Sequence, residues 1–253
     1  MTFKQTAIKA AKEAGKILLK YFRNIEKIED KDKTNAVTNA DLESDRKVIG
    51  IIKNNFPDHN ILSEESGATN KNSQYRWLID PLDATHNYMH SIPLFGVSIA
   101  LELKKELVLG VIYLPFFGEL FVAEKGKGAF LNNKKINVSK FLELRRSMIL
   151  VDGGFHKETK RKLELISGLT KELHKIRVVG AAVVDFVYVA EGKIEASILF
   201  PTNPWDIAAG ILLVREAGGK VTGFDGREAD QYTKEIIVSN GSVHDKVLRL
   251  INS

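Results

Sequence analysis

Apolar positions recur at helical spacing over the first twenty-two residues, MTFKQTAIKAAKEAGKILLKYF, where Ile8, Ala11, Gly15, Leu18 and Phe22 share one face. That periodicity predicts an amphipathic helix. The next segment, EKIEDKDKTNAVTNAD, is polar and reads as a loop. At its end Thr38 and Asp41 have the spacing of a capping box, predicting a helix through Val48, Ile49 and Ile52 that stops before Pro57. HNILSEES and WLID then read as short strands that both end in acids. Four further strands, VSIALEL, LVLGVIYLP, ELFVAEK and GAFLN, follow in hairpin order between turn residues. Beyond Ser139 to Ser147 the rhythm changes. SMILVDGGF, KIRVV and IEASILF are strands alternating with the helical segments KETKRKLELISGL and AAVVDFVYVAEG. WDIAAGILLVREAGG is a helix ending at a glycine pair, and EIIVSN and SVHDKVLRLIN close the chain as strand and helix. The chain therefore divides into an α+β half over residues 1–140, mainly an antiparallel meander, and an α/β half over 141–253. The two form one compact unit, with a ligand cleft expected between them.

Composition narrows the setting. A chain of 253 residues with 44% hydrophobic and 27% charged residues has the balance of a soluble globular protein long enough for a sizeable core. No apolar run approaches the roughly 20 residues of a membrane span, and the N-terminus lacks a secretory signal. A cytoplasmic address is expected. There is no cysteine, so any metal must be held by oxygen or histidine. The net charge of +5 comes from lysines scattered along the sequence, KGK and NNKK from about Gly126 to Lys135 being the nearest thing to a cluster. They are not interleaved with aromatics, which argues against nucleic acid and for a solvated surface. Membrane partners are not expected either.

The chemistry lies in acids placed where elements end. In WLIDPLDATHNY, Trp77, Leu78 and Ile79 suit a buried strand, and Pro81 holds Asp80 extended at its last position. Glu64 and Glu65 follow NILS, Asp41 opens the second helix and Asp206 opens WDIAAG. Taken singly, each has a structural explanation: Asp83 as a turn or cap residue, Asp41 and Asp206 as anions at helix starts, the glutamates as loop charges. Together, without enough nearby arginine or lysine to pair them, converging carboxylates point to Mg²⁺, Mn²⁺ or Ca²⁺. Other features read as incidental. His86 and His90 share an i, i+4 spacing without further metal context, and GKG at 126–128 is a hairpin turn. Phe116 and Phe117 sit at another turn, to be covered by the chain itself or by a subunit partner.

Glu64-Glu65, DPLDATHNY at Asp80 to Tyr88 and PWDIAAG at Pro204 to Gly210 resemble the inositol monophosphatase family of Mg²⁺-dependent, Li⁺-sensitive phosphatases. VTNAD, IPLFGVSIAL, GKGAFLNNKKI, VGAA and EAGG fall in the family's order, so the resemblance covers the chain from about Phe3 to its end. It implies a layered αβαβα sandwich of the inositol monophosphatase and fructose-1,6-bisphosphatase type, usually a homodimer. It further implies that Glu64, Asp80 and the Leu82 carbonyl hold a first metal and that Asp80, Asp83 and Asp206 hold a second. Two or three Mg²⁺ ions are expected, with Mn²⁺ able to substitute. Most of these ligands lie in the first half, and Asp206 in the second. Thr85 and Glu64 would orient the attacking water, with Asp41 close to the Thr85 hydroxyl. Leu82, Asp83, Ala84, Thr85, Gly180, Ala181 and Asp206 would form the substrate site, the N–H groups of Ala84 and Thr85 taking the phosphate. Glu65 matches no ligand role and is left as a supporting residue. Two metals roughly 3.5–4 Å apart suit in-line displacement at a phosphate monoester. Asp80, shared by both ions, would need both its oxygens free.

Two positions depart from the family pattern. Leu199, seven residues before Asp206, replaces an acid that in typical inositol phosphatases bonds inositol hydroxyls. This leaves 3′-phosphoadenosine 5′-phosphate, fructose 1,6-bisphosphate and histidinol phosphate as alternative substrates to an inositol monophosphate. Ala84 replaces a glycine, and a helix start that binds anions implies helical backbone angles there. A binding or regulatory protein that kept the fold and lost the chemistry is the competing class; the complete acidic set argues against it.

Overall fold

The first helix is fastened at its start by its own capping box. In the computed structural model, which describes residues 1–25, 28–30, 36–151, 154, 158–173 and 175–252, α1 (Phe3–Tyr21) begins with Thr2 and Gln5 exchanging hydrogen bonds of 3.0 and 3.2 Å. Its buried face is Ala7, Ala10, Ala11, Ala14, Gly15 and Leu18, whereas Ile8 and Phe22 of the anticipated stripe are half-buried. Small residues hold this face because α1 packs against both a neighbouring helix and the sheet beneath. Part of the expected loop instead forms two short antiparallel strands, β1 (Ile28–Asp30) and β2 (Ala36–Thr38). Strands of three residues are too short to show apolar alternation, so the pattern does not reveal them. α2 (Asn39–Asn55) starts at the Thr38–Asp41 capping box and stops before Pro57, as predicted.

The first sheet has eight strands. They are β3 (Asn60–Ser63), β4 (Gly67–Ala68), β5 (Tyr75–Asp83), β6 (Gly96–Leu103), β7 (Glu106–Leu114), β8 (Glu119–Glu124), β9 (Gly128–Leu131) and β10 (Lys134–Ile136), in the order β10-β9-β8-β7-β6-β5-β3-β4. The meander is antiparallel, and only β3 and β5 run parallel. Between β5 and β6 lies the single-turn helix α3 (Thr85–Met89). The second sheet combines β11 (Met148–Val151), β12 (Lys175–Arg177), β13 (Ala196–Leu199), β14 (Lys220–Gly223) and β15 (Ile236–Ser239), ordered β12-β11-β13-β15-β14. Of these, β14 has no counterpart in the sequence reading, because its four residues sit among glycines without an apolar run. The remaining helices are α4 (Thr159–Thr170), α5 (Ala182–Ala190), α6 (Pro204–Glu216) and α7 (His244–Ile251).

Three apolar clusters stack these parts into five layers. One joins α1 and α2 to the first sheet, one places α5 and α6 between the two sheets, and one joins the outer face of the second sheet to α4 and α7. The fold is thus the αβαβα sandwich. Alternation along β13 is visible in this stacking: Ile198 faces the outer cluster and Leu199 the middle one. α6 is apolar all round, with Ile207 to Val214 buried, as a helix covered on both sides must be. It lies so close to β7 that a Cβ on Gly110 would stand 2.7 Å from the Ala209 carbonyl oxygen. At its far end Glu216 accepts 2.7 Å hydrogen bonds from the N–H groups of Gly126 and Gly128, so the GKG segment is a hairpin turn that latches onto α6. No helix among the described residues is long and apolar enough to cross a membrane.

Candidate metal centre

Parallel pairing makes neighbours of acids that lie far apart in sequence. Ser63 pairs with Ile79, so the residues that follow, Glu64 and Asp80, emerge side by side, and the Glu64 N–H donates to the Ile79 carbonyl at 3.1 Å. Asp45, buried on α2, accepts hydrogen bonds from Ser63 and Ser66, the two serines that bracket Glu64-Glu65. This clamp was not anticipated; its only sequence signal is the serine pair itself. Asp80 is not the last residue of its strand, as the proline had suggested. β5 continues to Asp83 through an irregularity, with Asp80 opposite Ser98 and Asp83 opposite Gly96. Pro81 has no N–H to offer a ladder, so it and Leu82 bulge out while the strand resumes beyond them. Ser44 donates to the Pro81 carbonyl at 2.9 Å and fixes the bulge. The Leu82 N–H donates to Asp80 Oδ1 at 3.0 Å, so Asp80 does not have both oxygens free of the protein. A carboxylate oxygen has a second lone pair, and that bond leaves room for a metal.

Asp206 arrives from the other half. It is the third residue of α6, whose cap Asn203 and first residue Pro204 set the entry. The Asn203 N–H donates to Asp206 Oδ2 at 2.7 Å. Glu64, Asp80 and Asp206 then offer carboxylate oxygens within 4.8 Å of one another, the one group of three or more potential ligands among the described residues. Asp83 lines the same cavity outside that triad, its Oδ2 accepting from the Val183 N–H at 3.1 Å. His90 Nδ1 lies 2.8 Å from the His86 carbonyl oxygen, and neither histidine belongs to the carboxylate triad.

Burial and mutual repulsion oppose ionisation of these acids. Burial raises Asp80 well above the usual carboxylate range, and Glu64, Asp83 and Asp206 add to the rise. Burial likewise pushes Asp83 up to about 7 and Asp206 up to about 8, against the N–H groups of Val183 and Asn203 that favour their charged forms. Among the described residues no lysine or arginine pairs with Asp80, Asp83 or Asp206. Oxygen donors, buried and mutually repelling, fit a hard divalent cation.

Beside the acids, Thr85 Oγ1 stands 3.1 Å from Asp41 Oδ1 and 3.3 Å from the Leu82 carbonyl. The other Asp41 oxygen is held by the Thr38 N–H at 2.8 Å and the Thr38 hydroxyl at 2.5 Å. Asp41 thus serves the helix cap and Thr85 at once. Ala84 corrects an expectation. Its φ of 70° and ψ of 48° are left-handed, not helical. The chain must pass from extended Asp83 into a single helical turn within one residue, and the left-handed region accomplishes that reversal. Such angles cost a non-glycine residue roughly 1–2 kcal/mol. Glycine loses about 0.5–1 kcal/mol of that advantage through its freer unfolded chain. Ala84→Gly should therefore raise stability by about 0.5–1 kcal/mol, or about 1–4 °C in melting temperature at this chain length. Thermal melts in EDTA would check this, and a lower melting temperature would mean that alanine sits there without strain.

These groups line a cavity of 760 Å³ together with residues drawn from the stretch 178–203. One wall is the acidic turn with Thr85. The other includes Gly180, Ala181 and Leu199, which the sequence had singled out. It also includes Val178, Val179 and Asn203, which were not expected. Only Asn203 left a trace in the sequence, as a cap residue before Pro-x-Asp.

The family profile described as the inositol monophosphatase family matches residues 2–253. The fructose-1,6-bisphosphatase/inositol-1-monophosphatase of Thermotoga maritima is 36% identical over 247 residues, spanning 97% of this chain and 94% of that protein. The extragenic suppressor protein suhB from Bartonella henselae superposes with a TM-score of 0.95 at 34% identity, covering 99% of this chain and 98% of that one. A solved IMPase/NADP phosphatase complexed with Mg²⁺ and phosphate has a TM-score of 0.84 at 26% identity, covering 96% of this chain and 92% of that one.

Proposed function

The chain belongs to the inositol monophosphatase family, and on that premise we propose that it is a Mg²⁺-dependent phosphate-monoester hydrolase of the inositol-1-monophosphatase type. The observation that carries the reading is the convergence of Glu64, Asp80 and Asp206 within 4.8 Å at one end of a cavity. These three, with Asp83 and the Leu82 carbonyl, would hold two or three Mg²⁺ ions, or Mn²⁺ in their place. When bound, the ions supply positive charge to the phosphate and acidity to water. The chain's own residues do the rest. Thr85 directs its hydroxyl proton to Asp41 Oδ1 and keeps a lone pair to accept a hydrogen from the attacking water. Glu64 shares in orienting that water. The two hydrogen bonds from Thr38 hold Asp41 still, so the direction of the Thr85 proton is set before substrate arrives. The N–H groups of Ala84 and Thr85 donate to phosphate oxygens. Inhibition by Li⁺, a cytoplasmic address and a homodimer belong to the same reading. In support of a dimer, Phe116 and Phe117 are 43% and 46% exposed, an apolar surface that a second copy would cover.

Phosphate release tests this reading. Inositol 1-phosphate, 3′-phosphoadenosine 5′-phosphate, fructose 1,6-bisphosphate and histidinol phosphate are compared with Mg²⁺ and with EDTA. Hydrolysis should require Mg²⁺, and its absence from the whole panel would leave a fold without the chemistry. Leu199 is buried at the cavity wall, where no side chain of its kind can bond a hydroxyl. Apolar contacts separate substrates by roughly 10–200-fold, against about 10⁴-fold for a site that bonds a hydroxyl. The wild type should therefore act on several of these esters with comparable kcat/KM, and Leu199→Glu should shift preference toward inositol 1-phosphate. A wild type already strongly selective for that ester would place the reading of inositol elsewhere.

A further inference from the structure

Asn87 joins two segments that no sheet or helix joins. It lies on α3, four residues after Asp83, and its Nδ2 donates to the Leu94 carbonyl at 2.9 Å and to the Val179 carbonyl at 2.9 Å. An amide nitrogen has two hydrogens, so one is used on its own half and one on the other. The Gly180 carbonyl lies 3.4 Å from the same nitrogen. Gly180 has a φ of 65°, a left-handed turn that brings both carbonyls round the amide. Three residues on, the Val183 N–H donates to Asp83 Oδ2 at 3.1 Å. Residues 178–181 belong to no strand or helix. Between β12 and α5 they are reached by two side chains from across the cavity, Asn87 at Val179 and Asp83 at Val183 just beyond. Val179, Gly180 and Ala181 line the cavity across from the carboxylates.

We infer that Asn87 is a positioning residue that sets the distance between the acidic turn and the wall facing the alcohol part of the substrate. The inference rests on the phosphatase reading above. The phosphate end of an ester meets the turn itself, which Asn87 leaves in place, while the alcohol end meets residues 179–181. Losing the amide should therefore weaken binding of the ester without weakening binding of phosphate.

The test uses Asn87→Ala and Asn87→Leu, the second of which keeps the volume and removes the donors. KM for the best ester of the panel should rise about tenfold in both, the loss expected of one well-made hydrogen bond. kcat, inhibition by inorganic phosphate and the Mg²⁺ concentration for half-activation should stay near wild type. Asn87→Ser keeps one donor and should give an intermediate rise in KM with the same split, which covers the case that the other two variants do not fold. An unchanged KM in Asn87→Leu would make the amide a space-filler, and weaker phosphate inhibition in step with KM would place its action at the turn. Either result overturns the inference. A wild type with no Mg²⁺-dependent hydrolysis would overturn the phosphatase reading and this inference together, whereas an active wild type with indifferent variants overturns only the latter.

Discussion

Asp206→Asn is expected to lower kcat by about 10³-fold, the scale of losing one metal contact to the reacting phosphate, and yet to raise the melting temperature of the metal-free protein. The two effects come from different atoms of one side chain. Oδ2 accepts the Asn203 N–H and closes the capping box of α6. The carboxylate as a whole stands with Glu64 and Asp80 in the triad. Asparagine keeps an oxygen for the Asn203 N–H, so the helix still starts where it does. What it removes is a carboxyl that burial, with Asp83 and Glu64, forces to take up a proton on folding without metal. Relief of even 1–2 kcal/mol corresponds to about 2–8 °C for a chain of this size. In Mg²⁺ the ranking should reverse, because the wild type gains binding energy on folding that the variant cannot. Near-normal kcat would reduce Asp206 to a cap, and a lower melting temperature in EDTA would show that its capping bond outweighs the repulsion.

How much of this was legible in the sequence depends on the range of the interaction. Asp80 and Glu64 stood out because an apolar strand ending in an acid is a local anomaly. Their adjacency is not local: it follows from the Ser63–Ile79 register of a parallel pair. The Thr38–Asp41 box was readable for the same reason as the acids, since three residues of spacing contain it. Its second task at Thr85 spans 44 positions and was reached only through family resemblance. Ala84 shows a different limit. Periodicity averages over turns of a helix and is blind to the handedness of the single residue that starts one. The alanine face of α1 was half-legible, because apolar size draws the eye to Ile8 and Phe22 while close packing favours alanine. Asn87 stands inside the DPLDATHNY motif, but its task was not legible there, because its partner Val179 lies 92 positions away.

In EDTA the protein is expected to lose stability steadily from pH 6.5 to 8.5, and Mg²⁺ to remove most of that slope. Asp83 and Asp206 are pushed up to about 7 and about 8 from an ordinary 3.8. The metal-free folded form therefore keeps protons that the unfolded chain has already released. Stability from such groups is fully present below the unfolded value and is lost as pH rises through the folded one. Each contributes up to about 1.4 kcal/mol per pH unit below its folded value. Over the window this amounts to roughly 2–3 kcal/mol, or about 4–12 °C. The lower limit of the window is chosen because of His244. Buried, with Ser239 Oγ 2.7 Å from Nδ1 and Thr222 Oγ1 2.9 Å from Nε2, it is held down to about 4 from an ordinary 6.5. Its stability is complete above 6.5 and is lost as pH falls toward 4, the opposite sign. Above 6.5 the histidine is silent and the acids act alone. Metal binding requires the ionised carboxylates and releases their protons, so the folded and unfolded states then titrate alike. Melting temperatures at pH 6.5, 7.5 and 8.5, in EDTA and in MgCl₂, would check this. A flat profile in EDTA would mean that Asp83 and Asp206 are already ionised without metal, and that some cation of the protein's own neutralises them.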